Sequence, residues 1–504
     1  MSTDNQEWRQ ALTTNKIKTL AFTAATALFV TGCAITPKPM TSPEREAVAS
    51  KTMENLFGTQ EPIAAPISLS EAIARSLKYN LDAKVEMMAQ AVADQRLNTA
   101  QWDLLPRITA DAGYTSRSNQ SGASSESLLT HTQSLQPSTS QEKNRDIANA
   151  TMVWNILDFG VSYLQAKQDA DRTLIASERR RKVIQNIIQD VRYAFWRAWS
   201  AQQLLNEMDT LIADSQTALK QSRAVEQDAA QTPKTALEYQ RTLLNTQRTF
   251  WDLRQQLSLA KTELATLMNL KPGTDFTLST PNGETPQIPE LNIALEELER
   301  LALMQRPELL EQDYQLRISQ EEVKKSLLRM LPGLELQLGA HYDDNKYLYN
   351  NHWTDAGMRL TWNLLNLIRG PAVKAAAEAD VDLQKTRSLA KGMAVLTQVH
   401  LIYQRFQIAK ESYTIADQLN SVNQRLLKQA QAGASAQTGS QLELIRSRAT
   451  ALVARMRRDL AYAELQNARG RINHTIGEDP LPESVAAHDI ASLSQAIAAR
   501  LESN

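Results

Sequence analysis

The chain is written twice. A shift of 226 positions lays Leu69, Glu71 and Leu77 on Leu295, Glu297 and Leu303, Leu105-Pro106 on Leu331-Pro332 and Gly113 on Gly339. A shift of 208 then lays Trp154-Asn155 on Trp362-Asn363 and Val191 on Val399, so the first copy holds 18 extra residues between its Leu-Pro and its Trp-Asn. Further on, Thr235, Leu237 and Glu238 fall on Ser440, Leu442 and Glu443. Because these landmarks keep their order, the fold must build one unit and then build it again with like faces in like places.

Within each copy the period of the apolar residues changes from helix to strand and back. A short helix over Ser68 to Tyr79 and a second from Leu81 to Asp103 end at Leu105-Pro106, where alternation begins. Ile108, Ala110, Ala112 and Tyr114 oppose Thr109, Asp111, Gly113 and Thr115, and Ala148, Ala150, Met152, Trp154 and Ile156 oppose Asn149, Thr151 and Asn155. In the second copy Leu334, Leu336, Leu338, Ala340 and Tyr342 oppose Glu335, Gln337 and His341. Its return strand sets Ala356, Met358, Leu360, Trp362 and Leu364 against Asp355, Arg359, Thr361 and Asn363. Period two with one apolar face is a half-buried strand. One reading is an antiparallel sheet on a soluble core. Strand lengths near ~10 residues, charges on the polar face and aromatic ends favour strands of a transmembrane barrel. Four strands do not close a barrel and an open edge cannot face lipid, so such a chain must oligomerise. No apolar run reaches the ~18 residues of a membrane helix; the longest, Leu20 to Val30, is too short.

The strands alternate with unusually long helices. From Val161 to Asp228 there is neither Pro nor Gly, which allows roughly 100 Å of helix. Ile184, Ile187, Val191, Ala194, Ala198, Ala201, Leu205, Met208 and Ile212 step through it by threes and fours, the seam of a coiled coil. Val395, Val399, Ile402, Phe406, Ala409, Tyr413 and Ala416 repeat the seam, and alanines in it permit close approach. Returning helices follow each turn, Thr235 to Leu270 and Gln441 to Ile476. Each is too short to match the long helix alone, so the helix before the hairpin is expected to stack end to end with it.

Composition narrows the function. With 55 Lys and Arg against 56 Asp and Glu, interleaved, the chain has no basic footprint for nucleic acid. Its mean hydropathy of -0.40 reads as soluble. The single cysteine excludes an internal disulfide. Lys16 and Lys18, the apolar run and Val30-Thr31-Gly32-Cys33 have the layout of a secretory signal and resemble a bacterial lipobox. That resemblance implies cleavage before Cys33, lipid (palmitate among it) on Cys33 as anchor, and, with Ala34 next, transfer to the outer membrane.

The lipobox, the duplicated plan, Trp154-Asn155-Ile156-Leu157-Asp158-Phe159-Gly160 at the strand-to-helix junction and Trp362-Asn363-Leu364-Leu365-Asn366 resemble the lipid-anchored branch of the TolC-type outer-membrane efflux proteins. The resemblance spans about Ser68 to Gly477. It implies a mainly α fold with a transmembrane β part: a homotrimer whose twelve strands form one barrel, continued by a twelve-helix α-barrel through the periplasm. Segments around Phe276 to Leu303 and Ala491 to Leu501 would form a belt. It further implies a periplasmic adaptor and a proton-driven or ATP-driven inner-membrane pump as partners. The two helix turns would be the periplasmic entrance. Family members often carry acids past the second turn. Here Glu443 matches one such place, Arg446 occupies another, and Glu238 and Arg241 echo them in the first copy; an ordinary surface pair of Glu443 with Arg446 is the plainer reading. Candidate adaptor-docking tips are Gln231, Thr232 and Pro233, and Gly433, Ala434 and Ser435.

The expected division is a signal peptide over 1–32, a lipid-anchored extension over 33–67, and a first repeat over 68–275 with strands 105–117 and 146–157, long helix 161–228 and return helix 235–270. An equatorial linker over 276–304 leads to a second repeat over 305–477, with strands 332–343 and 352–364, long helix 371–431 and return helix 441–476. A C-terminal equatorial segment covers 478–504. The polar stretch Ser116 to Ser140 reads as a mobile extracellular loop. No nucleophile converges on a base, no Walker loop is present, and the six histidines lack metal-ligand spacing apart from His341 and His352 across one hairpin. The expectation is therefore not an enzyme, without metal or cofactor beyond the lipid, but a passive exit duct. A periplasmic coiled-coil adaptor or scaffold is the alternative, since adaptors also carry long helical hairpins, and a hydrolytic enzyme is a distant third.

Overall fold

A computed structural model describes residues 37–134, 136–227, 233–279, 288–436, 441–479, 487 and 489–502. The chain divides between Gln60 and Glu61 into two compact units. In the first, helix α1 (Ser42–Phe57) opens on a capping box. Thr41 Oγ1 accepts the Glu44 N–H at 3.4 Å while the Glu44 carboxylate accepts the Thr41 N–H at 2.7 Å. That backbone bond holds the Glu44 carboxyl below its ordinary range.

The second unit runs α2 (Leu69–Tyr79), α3 (Leu81–Trp102), β1 (Arg107–Ser116), β2 (Asn144–Asn155), α4 (Ile156–Gln227), α5 (Pro233–Leu267), α6 (Leu295–Gln305), α7 (Pro307–Leu328), β3 (Gly333–Asp343), β4 (His352–Thr361), α8 (Asn366–Ser435), α9 (Gln441–Thr475) and α10 (Ile490–Glu502). Local chemistry sets several starts. Ser68 caps α2 through the Glu71 N–H, Asn80 caps α3 through Asp82 and Ala83, and Pro307 opens α7.

The long helices begin five residues before the expected 161 and 371. Asn155 Oδ1 accepts the N–H groups of Leu157 and Asp158 at 3.0 and 3.2 Å, which starts α4 upstream of Gly160. Asn363 Oδ1 accepts the Leu365 N–H at 3.1 Å, and α8 then runs through Pro371. The repeated Trp-Asn is thus a helix-starting device: its asparagine meets donors that no earlier carbonyl reaches. Ile156 is accordingly helical, and Trp362 and Leu364 lie beyond the end of β4.

The strands form one antiparallel sheet in the order β1-β2-β3-β4. Its register aligns Ala110, Ala150, Ala340 and Thr354 in one row and Asp111, Asn149, His341 and Trp353 in the next, so apolar and polar rows alternate. The β2–β3 pairing joins the two repeats, and the outer edges of β1 and β4 have no strand partner among the described residues. The polar stretch expected to be a loop extends the first hairpin by isolated bridges. Ala123 faces Ser138 and Glu126 faces Gln133 across isolated bridges, with the Ala123 and Ser138 backbones exchanging 3.0 Å bonds.

The helices lie in a row. α4 packs on α3 and α5 along one side and on α7 and α9 along the other, and α7 and α9 also pack on α8. The shorter helices therefore share the length of the long ones in pairs. The apolar core gathers in the middle, where Phe195, Leu264, Met268, Leu298, Phe406 and Leu465 are sealed, joined by α2, α6 and α10. Two smaller clusters continue it, around Leu204, Met208, Phe250 and Leu452, and around Leu243 and Ile445.

Candidate functional site

The sheet is two-faced. On one side Ile108, Leu338, Met358 and Leu360 stand exposed, with no element covering them among the described residues. On the other a polar belt crosses all four strands. Asn149 Nδ2 donates to Asp111 at 2.7 Å, the Asn149 carbonyl oxygen lies 2.8 Å from His341 Nδ1, and His341 Nε2 lies 3.3 Å from Asp355. The imidazole stacks on Trp353 with centroids 5.2 Å apart. Gly339 makes this possible, because a Cβ there would meet Asp355 Oδ1 at 2.3 Å and His341 Nε2 at 2.4 Å. His352 pairs in register with Tyr342 and so points to the opposite face from His341. The two histidines cannot share a metal, and among the described residues no group of three or more metal-ligating side chains forms. A sheet with one apolar and one hydrogen-bonded charged face can separate lipid from water.

Next to the sheet the helices are joined by polar contacts. Arg317 of α7 clamps Asp171 of α4 with 3.0 Å bonds. Buried Lys325 donates to Gln165, Gln168 and Glu322 at 2.8, 2.8 and 2.7 Å. Burial pushes Glu322 up, but the bonds from Lys325 and Gln168 outweigh it and hold the carboxyl low. Ser319 reaches Asp380 at 2.7 Å, carrying the zipper to α8. None of these residues lay on the apolar seams; a buried polar interface leaves no period in hydropathy.

Farther along, an aromatic cluster ties three helices together. Trp196 of α4 meets Phe195, Trp199 and Tyr462 edge-on, and Tyr413 of α8 leans on Tyr462 of α9 at 5.3 Å. Burial, then Asp417, drives the Tyr413 hydroxyl up to about 12. Burial raises the Asp459 carboxyl too, although Arg458 opposes it. Phe195 and Trp196 lie beside the seam read from the sequence, and Leu204 is fully buried where Leu205 was expected. The cause is that α4 has helices on both sides, so it buries two stripes. Ion pairs flank them: Arg254 with Asp209 at 2.8 Å on the α5 side, Arg448 with Asp214 at 3.5 Å and Arg455 with Glu207 on the α9 side.

At the far end Glu238 and Arg241 lie near the start of α5, Glu443 lies in the first turn of α9 and Arg446 follows a turn's length on, all exposed. Leu243 and Ile445 pack with Ala218 and Leu219 of α4, which fixes the faces of α5 and α9 so that the four charges stay outside, flanking α4. Burial raises the hydroxyl of Tyr239 between Glu238 and Arg241. Pro233 opens α5, and Gly433, Ala434 and Ser435 form the last turn of α8, where Ser435 Oγ donates to the Gln431 carbonyl at 2.9 Å. Gln231, Thr232 and Cys33 lie outside the described residues.

No protein-family model and no curated protein sequence matches the chain. Solved structures do. The outer-membrane channel OprN aligns with a TM-score of 0.62 at 16% identity over 81% of this chain and 89% of its own. CusC, whose structures follow folding and transmembrane channel formation, gives 0.62 at 16% over 83% and 95%. The Campylobacter jejuni CmeC outer membrane channel gives 0.64 at 12% over 85% and 89%. The duplicated helices, the two-faced four-stranded sheet and these alignments over most of each chain show that this protein has the fold of the TolC-type outer-membrane channels.

Proposed function

We propose that three copies of this chain close into one outer-membrane exit duct, with twelve strands around a lumen in the membrane and twelve helix columns continuing it as a periplasmic tunnel. The observation that carries this is that the chain is open at both ends in matching ways. Among the described residues the outer edges of β1 and β4 carry unpaired ladders, which in lipid must be satisfied by another copy. The end helices carry apolar seams at heptad spacing. Leu237, Leu244 and Trp251 stand exposed on α5, and Leu401, Ile408, Ile415 and Val422 stand exposed on α8. A head-to-tail ring joins β1 to β4 and α5 to α8 of neighbouring copies and closes both edges at once.

In that assembly the belt of Asp111, Asn149, His341 and Asp355 lines the lumen and the apolar face meets lipid. The duct is passive and non-enzymatic, carrying small molecules or polypeptide outward, driven by an inner-membrane pump reached through a periplasmic adaptor. Glu443, Arg446, Glu238 and Arg241 ring the entrance, and the tips at Gln231, Thr232, Pro233, Gly433, Ala434 and Ser435 receive the adaptor. Cys33 bears the lipid anchor.

Fractionation with gel electrophoresis at low and high temperature tests this. The expected result is an outer-membrane species that runs as a trimer unheated, collapses to monomer on heating, takes up labelled palmitate only with Cys33 intact, and conducts in planar bilayers. A monomer released with the soluble periplasm would instead favour the adaptor reading.

A further inference from the structure

Between α2, α4, α9 and α10 lies a cavity of about 210 Å³. Three guanidinium groups line it, Arg192 of α4, Arg469 of α9 and Arg500 of α10, against one carboxylate, Glu478. Arg500 reaches Glu478 at 3.6 Å and the Asp479 carbonyl at 3.4 Å, and Arg469 donates to Asn473. Arg192 has no hydrogen bond or ion pair among the described residues, although its Nε is sealed from water. Burial, followed by the field of Arg469, draws Arg192 down to about 10, so it stays charged at neutral pH. Burial also lowers Arg469, with Glu478 opposing. His474 adds no charge there, since burial and then Arg306 pull it down to about 4. The backbone accommodates the buried group: a Cβ on Gly470 would meet Gln189 Oε1 at 2.7 Å and Arg192 Nε at 3.2 Å.

A guanidinium whose Nε is sealed from water, beside a second cation and with no acceptor for that N–H among the described residues, is unfavourable as it stands. An oxyanion removes both faults, because a planar fork of N–H donors matches two oxygens and the second cation adds attraction. We propose that this cavity binds a small oxyanion of the phosphate class, held by the Arg192 fork and by Arg469, and that the bound anion fastens α10 to α4 and α9. The volume fits this class and not cargo, since sites for drug-sized molecules run from about 300 Å³ upward.

The test is isothermal titration of the detergent-purified full chain with sodium phosphate at fixed ionic strength, chloride serving as the reference anion, alongside thermal melting. The wild type is expected to bind one phosphate per chain and to melt a few degrees higher in its presence. Arg192→Met should weaken binding at least tenfold and lose the thermal shift, while melting no lower than wild type in chloride because an unpaired buried cation is gone. Arg192→Lys should fall between, keeping charge without the fork. Absence of heat and thermal shift in the wild type overturns the proposal, as it would if a carboxylate of this chain or of a neighbouring copy already filled the site. An undiminished response in Arg192→Met overturns it equally. If that variant does not fold, the wild-type titration and Arg192→Lys decide.

Discussion

The indole of Trp196 meets the ring of Tyr462 edge-on, with centroids 5.1 Å apart and planes at 88°, so the long helix of the first repeat is locked to the return helix of the second. Trp196 is 8% exposed, and replacing it with Ala should cost about 3–5 kcal/mol. Trp196→Phe keeps the edge contact and should lose less. Thermal melting of both variants checks this, and equal losses would show that the edge contact a Phe ring can keep contributes nothing.

Asn155 and Asn363 occupy matching positions with unequal duties. Asn155 accepts two backbone N–H groups at the start of α4, whereas Asn363 accepts one. Asn155→Ala should therefore cost about 1 kcal/mol, Asn363→Ala a few tenths, and Asn→Asp almost nothing at either site. Chemical denaturation with both substitutions at each position separates these outcomes.

Gly339→Ala should strike the polar belt. The new methyl must displace both Asp355 and His341, at a cost of roughly 1–3 kcal/mol. Adding Asp355→Ala removes one obstacle, so the double variant should melt above Gly339→Ala alone. Simple additivity of the two substitutions would contradict the clash.

The pH profile should carry the mark of His474. Its pKa is depressed to about 4 by burial and then by Arg306, while the unfolded imidazole stays near 6.5. As pH falls through 6.5 the unfolded chain takes up a proton that the folded chain refuses, so stability declines until about pH 4 and levels below it. The full loss should be on the order of 3 kcal/mol, at about 1.4 kcal/mol for each pKa unit. His474→Gln, which can still donate to Asn186, should flatten that part of the profile in melts between pH 7.5 and 4.5.

Much of this architecture is readable along the chain, because side-chain period is a local property. The alternation from Ile108 to Tyr114 and from Leu334 to Tyr342 sorts residues onto two faces before any partner is known, and the β ladders keep that sorting. The seam from Ile184 to Ala201 is buried as the threes and fours require. Glu443 and Arg446 are exposed at the start of α9, but the sequence has no means of saying what stands across from them.

Other features belong to the tertiary structure alone. That α4 buries Phe195 and Trp196 as well as its seam follows from having helices on both sides. That Lys325, Gln168, Asp171 and Arg317 form a zipper follows from polar groups finding partners about 150 positions away, which no period along one helix encodes. Arg192, with no partner among the described residues, is the sharpest case: in sequence it is one more base on an amphipathic helix. The sequence by itself determined the duplication, the faces of the strands and the reach of the helices, since these depend on neighbours within a turn or a pleat. Only the tertiary structure decided which faces meet and which charges are left facing a cavity, since burial and field at a side chain are set by whatever the fold brings against it.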